Sequence, residues 1–124
     1  MSEFFSINRY ALILRPSKAM VDWINATFPD DPPLDYEELG GEDQLNVFLI
    51  PEFDSPGQAQ EWLQDNYRQF LEFELEEWST DPKEWPEQLD WPLFERFLEY
   101  SLQSVVLDTQ DEEYDEEFED WELN

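Results

Sequence analysis

Carboxylates are the reactive groups this chain has in quantity, and the side chains that usually work with them are missing. There are 33 Asp and Glu residues against six Lys and Arg, with neither His nor Cys. Without Cys there is no disulfide, no thiolate nucleophile and no thiol metal ligand. Without His the usual acid/base of neutral pH, the usual zinc ligand and every His-containing triad are gone. Oxygen chemistry survives, since carboxylates bind hard cations such as Ca²⁺ or Mg²⁺. Asp30, Asp31 and Asp35, or Glu42 and Asp43, stand close enough in sequence to gather round one. None has the spacing of a dedicated calcium loop, and among 33 acids such groups arise by chance. A carboxylate pair for glycoside hydrolysis is open on composition but has no positional support. Gly40-Gly41 lies among acids that repel phosphate, and no Gly-x-Ser-x-Gly elbow occurs. The sequence therefore calls for no cofactor, no metal site and no catalytic residue.

Two features could hold a cationic partner instead. Trp78, Trp85, Trp91 and Trp121 lie toward the C-terminus among acids, a combination that can bind cations through ionic and cation–π contacts. Packing between helices is the simpler reading for Trp62, Trp78, Trp85 and Trp91. The stretch from Gln110 to Asn124 holds nine acids among 15 residues and no base. Mutual repulsion argues against stable structure there in isolation. Tyr114, Phe118 and Trp121 interrupt the acids at spacings of four and three. Such a segment can fold onto a basic, apolar-grooved partner, or dock on its own domain. The candidate partner-binding residues are Asp111, Glu112, Glu113, Tyr114, Glu116, Glu117, Phe118 and Trp121.

The formal charge is −27, and residues 1–109 alone carry 24 acids against six bases. Such a surface repels phosphate backbones and anionic membranes, so direct nucleic-acid or membrane binding is not expected. It attracts basic surfaces and speeds association with them, unless the acidity serves only solubility or a high-salt host. The expectation is a non-enzymatic protein-binding module or inhibitor engaging a basic protein, with oligomeric state left open. A sharper version is a DNA mimic, whose carboxylates would run in rows about 6–7 Å apart as phosphates do along a strand. The competing class is a carboxylate-metal enzyme or ion-binding protein using Mg²⁺ or Ca²⁺.

The elements that position these groups can be read from periodicity. Aromatics make up 17% of the chain, too many for a disordered one, so the body should fold despite its charge. Residues 8–15 read as a strand ending at Arg15-Pro16. Ser17 caps a helix to about Phe28, with Met20, Val21, Ile24 and Phe28 at helical spacing. Residues 29–44 read as a long acidic loop, broken by Pro29, Pro32, Pro33, Gly40 and Gly41. Residues 45–53 read as a second strand, with Pro51 at an edge or bulge. Asp54-Ser55-Pro56 opens a helix to about Trp78. Ala59, Trp62, Leu63, Tyr67, Phe70, Leu71, Leu75 and Trp78 form its apolar stripe, and Glu61, Asp65, Glu72, Glu76 and Glu77 its solvated face. A turn over 79–86, a helix from Asp90-Trp91-Pro92 to about Leu102 and a third strand over 104–108 complete the order. Arg68 is expected to pair with Asp65 or Glu72, and Arg96 with Glu99, at helical spacing.

The order predicts an α+β domain over residues 1–109: two layers, with a small three-stranded mixed sheet and three helices (β-α-β-α-α-β). Its first strand–helix–strand unit can be parallel with a right-handed crossover. An open α/β sheet is the alternative, and residues 110–124 form an acidic tail expected to be flexible. The N-terminus has no basic region and no long apolar run. No stretch reaches the roughly 20 apolar residues of a membrane span, so a cytoplasmic location is expected.

Glu74-Leu75-Glu76-Glu77-Trp78-Ser79-Thr80-Asp81, then Trp85-Pro86, then Ser104-Val105-Val106-Leu107-Asp108 carry a resemblance. Over roughly residues 45–108 the chain resembles a group of small uncharacterised acidic bacterial proteins. These share a Glu-Leu-x-x-Trp-x-x-Asp segment, a Trp-Pro pair and a closing strand ending in Asp. The resemblance implies a bacterial cytoplasmic protein and brings no activity and no functional residue with it. Titration with Mg²⁺, Mn²⁺ or Ca²⁺ is expected to give no saturable rise in melting temperature; a saturable rise would restore the metal class.

Overall fold

The computed structural model describes residues 4–41 and 45–110. Along the chain come β1 (Phe5–Ser6), β2 (Arg9–Pro16), α1 (Lys18–Thr27), α2 (Tyr36–Gly40), β3 (Asn46–Pro51) and α3 (Pro56–Trp78). A 3₁₀ turn (Pro82–Glu84), α4 (Trp91–Phe97), β4 (Leu98–Gln103) and β5 (Leu107–Asp108) follow. The protein is α+β, with a three-stranded sheet in the order β3-β2-β4 and a two-stranded pairing of β1 with β5.

Period-two alternation sorts β2. Tyr10, Leu12 and Leu14 turn inward and are buried, so Ala11, Ile13 and Arg15 turn to the other face. The inward set joins one apolar core with Met20 and Ile24 of α1, Leu63, Phe70, Leu71 and Leu75 of α3, and Leu93, Phe94 and Phe97 of α4. Burying each such side chain contributes roughly 1.5–3 kcal/mol. Polar side chains set the helix starts. The Ser17 hydroxyl accepts from the Met20 N–H and donates to the Arg96 carbonyl at 2.6 Å, tying α1 to α4. Ser55 caps α3, with Pro56 in its first turn, and Asp90 Oδ1 accepts from the Leu93 N–H at 2.9 Å to open α4.

Three expectations are corrected. The sheet is antiparallel throughout, with Leu14 opposite Asn46 and Leu14 also opposite Tyr100. The expected parallel crossover does not form: after α1 the chain returns along the sheet, so that β3 starts beside the end of β2, with Asn46 opposite Leu14. That return is pinned where Asn25 hydrogen-bonds both backbone groups of Leu34 (2.8 and 3.0 Å). The same segment also contains α2, capped by Asp35, where a loop was expected. Finally, the last helix stops at Phe97 and the third strand is β4, leaving β5 only two residues long. Leu98, Tyr100 and Leu102 alternate with Glu99, Ser101 and Gln103, which is strand patterning that the helical reading ran over.

Phe94 has no solvent exposure and stacks on Trp91 at 5.0 Å. Phe94→Ala is expected to destabilise the domain by about 3–5 kcal/mol. Urea unfolding showing a loss below about 1 kcal/mol would mean that this aromatic contact is not part of the core.

Candidate functional site

Helix α3 lays its apolar stripe on the sheet, and one member of that stripe is an acid. Position 74 follows Phe70 by four residues and Leu71 by three, so its side chain must point inward with them. Glu74 is accordingly buried, and it is the one buried acid among the described residues. Asn46, the first residue of β3, reaches across to it. The Asn46 Nδ2 donates to Glu74 Oε1 at 2.9 Å and to Glu77 Oε1 at 2.6 Å. Desolvation pushes the Glu74 carboxyl up from 4.5 to about 7; the Asn46 hydrogen bond opposes this and the neighbouring Glu77 charge adds to it.

On the other face of the sheet Ala11 of the central strand is buried, while apolar side chains are exposed at the edge strand β3. On the edge strand β3, Val47 is 62% exposed and Leu49 46%. By register they flank Ile13 and Ala11, which face Ser101 and Gln103 on the far side. At one end the face is closed by α2. The Arg15 guanidinium lies 4.0 Å over the Tyr36 ring, and its Nη2 donates to the Tyr36 carbonyl at 2.7 Å. A Cβ on Gly40 would meet that Nη2 at 2.7 Å, so glycine makes room for the cation. The Tyr36 hydroxyl donates to Glu99, and this bond raises the Tyr36 pKa above its usual value.

The expected sites fare unevenly. Asp111, Glu112, Glu113, Tyr114, Glu116, Glu117, Phe118 and Trp121 lie outside the described residues, as do Glu42 and Asp43. Asp35 spends its carboxylate on the Glu37 and Glu38 N–H groups as a helix cap. Among the described residues no group of three acids is arranged to hold a metal ion. The tryptophans pack against neighbours: Trp62 between Phe53 and Phe70, and Trp91 on Phe94. The Trp85 Nε1 donates to the Ser79 carbonyl. Arg68 pairs with Glu72 at 2.8 Å as expected, but Arg96 does not pair with Glu99. Glu99 lies on a strand, where helical spacing has no meaning, and the Arg96 guanidinium sits 5.5 Å over the Phe97 ring.

An open cleft of about 600 Å³ beside α3 is lined by Arg68, Lys83, Glu72, Glu87 and Trp85. Its two bases face two acids, so it is no basic pocket. Comparison with protein-family models, curated proteins and solved structures gave no match to this chain.

Glu74 makes stability depend on pH with a definite sign. Its folded-state value is raised, so between about 4.5 and about 7 the native protein binds more protons than the unfolded chain. Its contribution is therefore most favourable below about 4.5 and is lost as pH rises through about 7. The full loss is on the order of 3 kcal/mol. Glu74→Gln, which keeps the acceptor for Asn46, is expected to match the wild type near pH 4.5 and to exceed it by about that amount at pH 8. Urea denaturation at both values checks this, and an equal difference at the two pH values would exclude a raised Glu74.

Proposed function

We propose that this chain is a non-enzymatic binding protein whose acidic surface engages a basic protein partner. One observation carries this reading: apart from Glu72 and Glu74, the described acids stand outside the buried core without a cation paired to them. Glu74 alone among the described acids is buried, and Arg68–Glu72 is the one ion pair among the described residues. Of the remaining bases, Arg15 is turned onto Tyr36 and Arg9 onto Asn8. The field at the surface is therefore that of nearly uncompensated carboxylates, which accelerates association with a cationic protein by roughly 10–10³-fold at low salt. The lack of His and Cys supports a binding role over catalysis.

DNA mimicry is the narrower form of the same reading. On α3 the pairs Glu61–Asp65 and Glu72–Glu76 are each separated by about 6 Å along the helix axis, near the phosphate spacing. Arg68 stands between the pairs and neutralises Glu72, so α3 carries no unbroken row. The broader reading, a basic partner without mimicry, is preferred.

The test is retention on the immobilised full chain from an extract of its source cells, followed by reconstitution with the purified retained protein. A strongly basic protein is expected, with a Kd that rises at least tenfold between about 50 and 200 mM salt. Retention of neutral or acidic proteins only, or a Kd indifferent to salt, would remove the proposal.

A further inference from the structure

Strand β3 ends the sheet on one side, since the order is β3-β2-β4. Its outer edge is therefore a row of backbone N–H and C=O groups that no described strand pairs. Proteins usually blunt such an edge with charged residues or with a covering element. Here Asn46-Val47-Phe48-Leu49-Ile50-Pro51 contains no charge at all, and Pro51 at its last position is its single blunting device.

The surroundings of the edge are apolar in the middle and acidic at the ends. Val47 and Leu49 expose their side chains on one face. On the other face Phe48 contacts Phe73 of α3 at 5.5 Å, and Phe73 is itself 45% exposed. Glu77 stands at the start of the strand, held by Asn46. Glu52 and Asp54 stand exposed just past its end. Arg9, opposite Pro51 in register, directs its guanidinium at Asn8.

We propose that the free edge of β3 accepts, by strand addition, an extended segment of a partner protein that alternates apolar residues and carries Lys or Arg at its ends. This rests on the basic-partner reading and names the part of the partner that would be recognised. Main-chain hydrogen bonds along the edge give affinity, and contacts of the alternate side chains with Val47, Leu49 and Phe73 give selectivity. Charge chooses among the possible occupants. A second copy brings a charge of −27, and the chain's own residues 111–124 bring nine acids. Both have the sign of Glu52, Asp54 and Glu77. A cationic strand is the occupant with the opposite sign.

The probe is a fluorescent peptide, KRVTVTVRK, compared by anisotropy with the same peptide N-methylated at alternate backbone amides. Charge and side chains are then equal and only the hydrogen-bonding edge differs. The full chain is expected to bind the unmodified peptide at least about tenfold more tightly. The outward-facing amides among residues 46–50 should gain hydrogen-exchange protection on binding. The Val47→Glu/Leu49→Glu double variant adds negative charge yet is expected to bind at least about tenfold more weakly, because it removes the apolar contacts. Equal, salt-sensitive binding of both peptides, or tighter binding by the double variant, would overturn the edge assignment and leave the basic-partner reading standing. Failure of the chain to bind either peptide at low salt would overturn both. In the free protein, slow exchange of the edge amides would show the edge already covered, by the chain itself if independent of concentration and by a second copy if not. Either result overturns the proposal.

Discussion

Leu12 and Leu14 of the central strand lie in one core with Leu63, Leu71 and Leu75 of α3, with no solvent exposure on any of the five. Everything else in the structure is built outward from that core, because it must hold together a chain whose charges repel one another. Like charges disfavour the compact state, and local ion pairs give little relief here. Arg68–Glu72 is an exposed pair on one helix face, a kind of contact worth a few tenths of a kcal/mol. Apolar burial is the term large enough to offset the repulsion. The aromatic residues extend it: Trp91, Phe94, Tyr67 and Tyr100 contact one another between α3, α4 and β4. Phe53, Trp62, Phe70 and Phe48 form a second chain of contacts beneath β3. Both chains pass through α3, the longest helix, which shares one core with the sheet and with α4.

Glu74 breaks the rule that organises the core. A carboxyl at that place costs stability, and a leucine of similar size would continue the stripe from Phe70 and Leu71 to Leu75. What Glu74 contributes instead is direction. Its hydrogen bond from Asn46 fixes the start of β3 against the last turns of α3, and Glu77 takes the second N–H of the same amide. A leucine could pack there, but it would not select Asn46 over a neighbouring residue. The pairing also fixes which side chains of β3 face inward. Phe48 and Ile50 follow Asn46 at period two, so Val47 and Leu49 must face out. The buried acid and the exposed apolar pair are thus two consequences of one register.

How much of this was legible in the sequence depends on whether the signal was local. The start of α3 is written in Ser55-Pro56 and its buried face in the three- and four-residue spacing from Ala59 to Trp78, and both are found in the structure. The end of α4 was not legible, because two periods overlap there. Leu93, Phe94, Phe97 and Leu98 satisfy a helix, while Leu98, Tyr100 and Leu102 satisfy a strand, so the helical reading ran on past Phe97. The direction of β3 depends on contacts distant in sequence, Asn25 with Leu34 and Arg15 with Tyr36, and no local pattern encodes them. Glu74 had a visible signal: an acid at a stripe position, three residues after Leu71 and four after Phe70. The eight tail residues singled out for partner binding lie outside the described residues, so the structure bears on the body alone.

The uncharged edge of β3 and the extreme charge of the whole chain are best understood together. An apolar edge strand with free backbone groups is ordinarily a route to self-association. In this chain two copies can bring those edges together only by bringing two net charges of −27 into proximity. The repulsion acts over a Debye length of about 10 Å at 0.1 M salt, which exceeds the roughly 5 Å spacing of neighbouring strands. It therefore opposes pairing before the backbone bonds can form. The same field draws a cationic strand toward the edge. On the proposed reading, one charge distribution would both oppose self-pairing and favour a cationic partner, and β3 itself carries no charge that would obstruct a strand lying beside it.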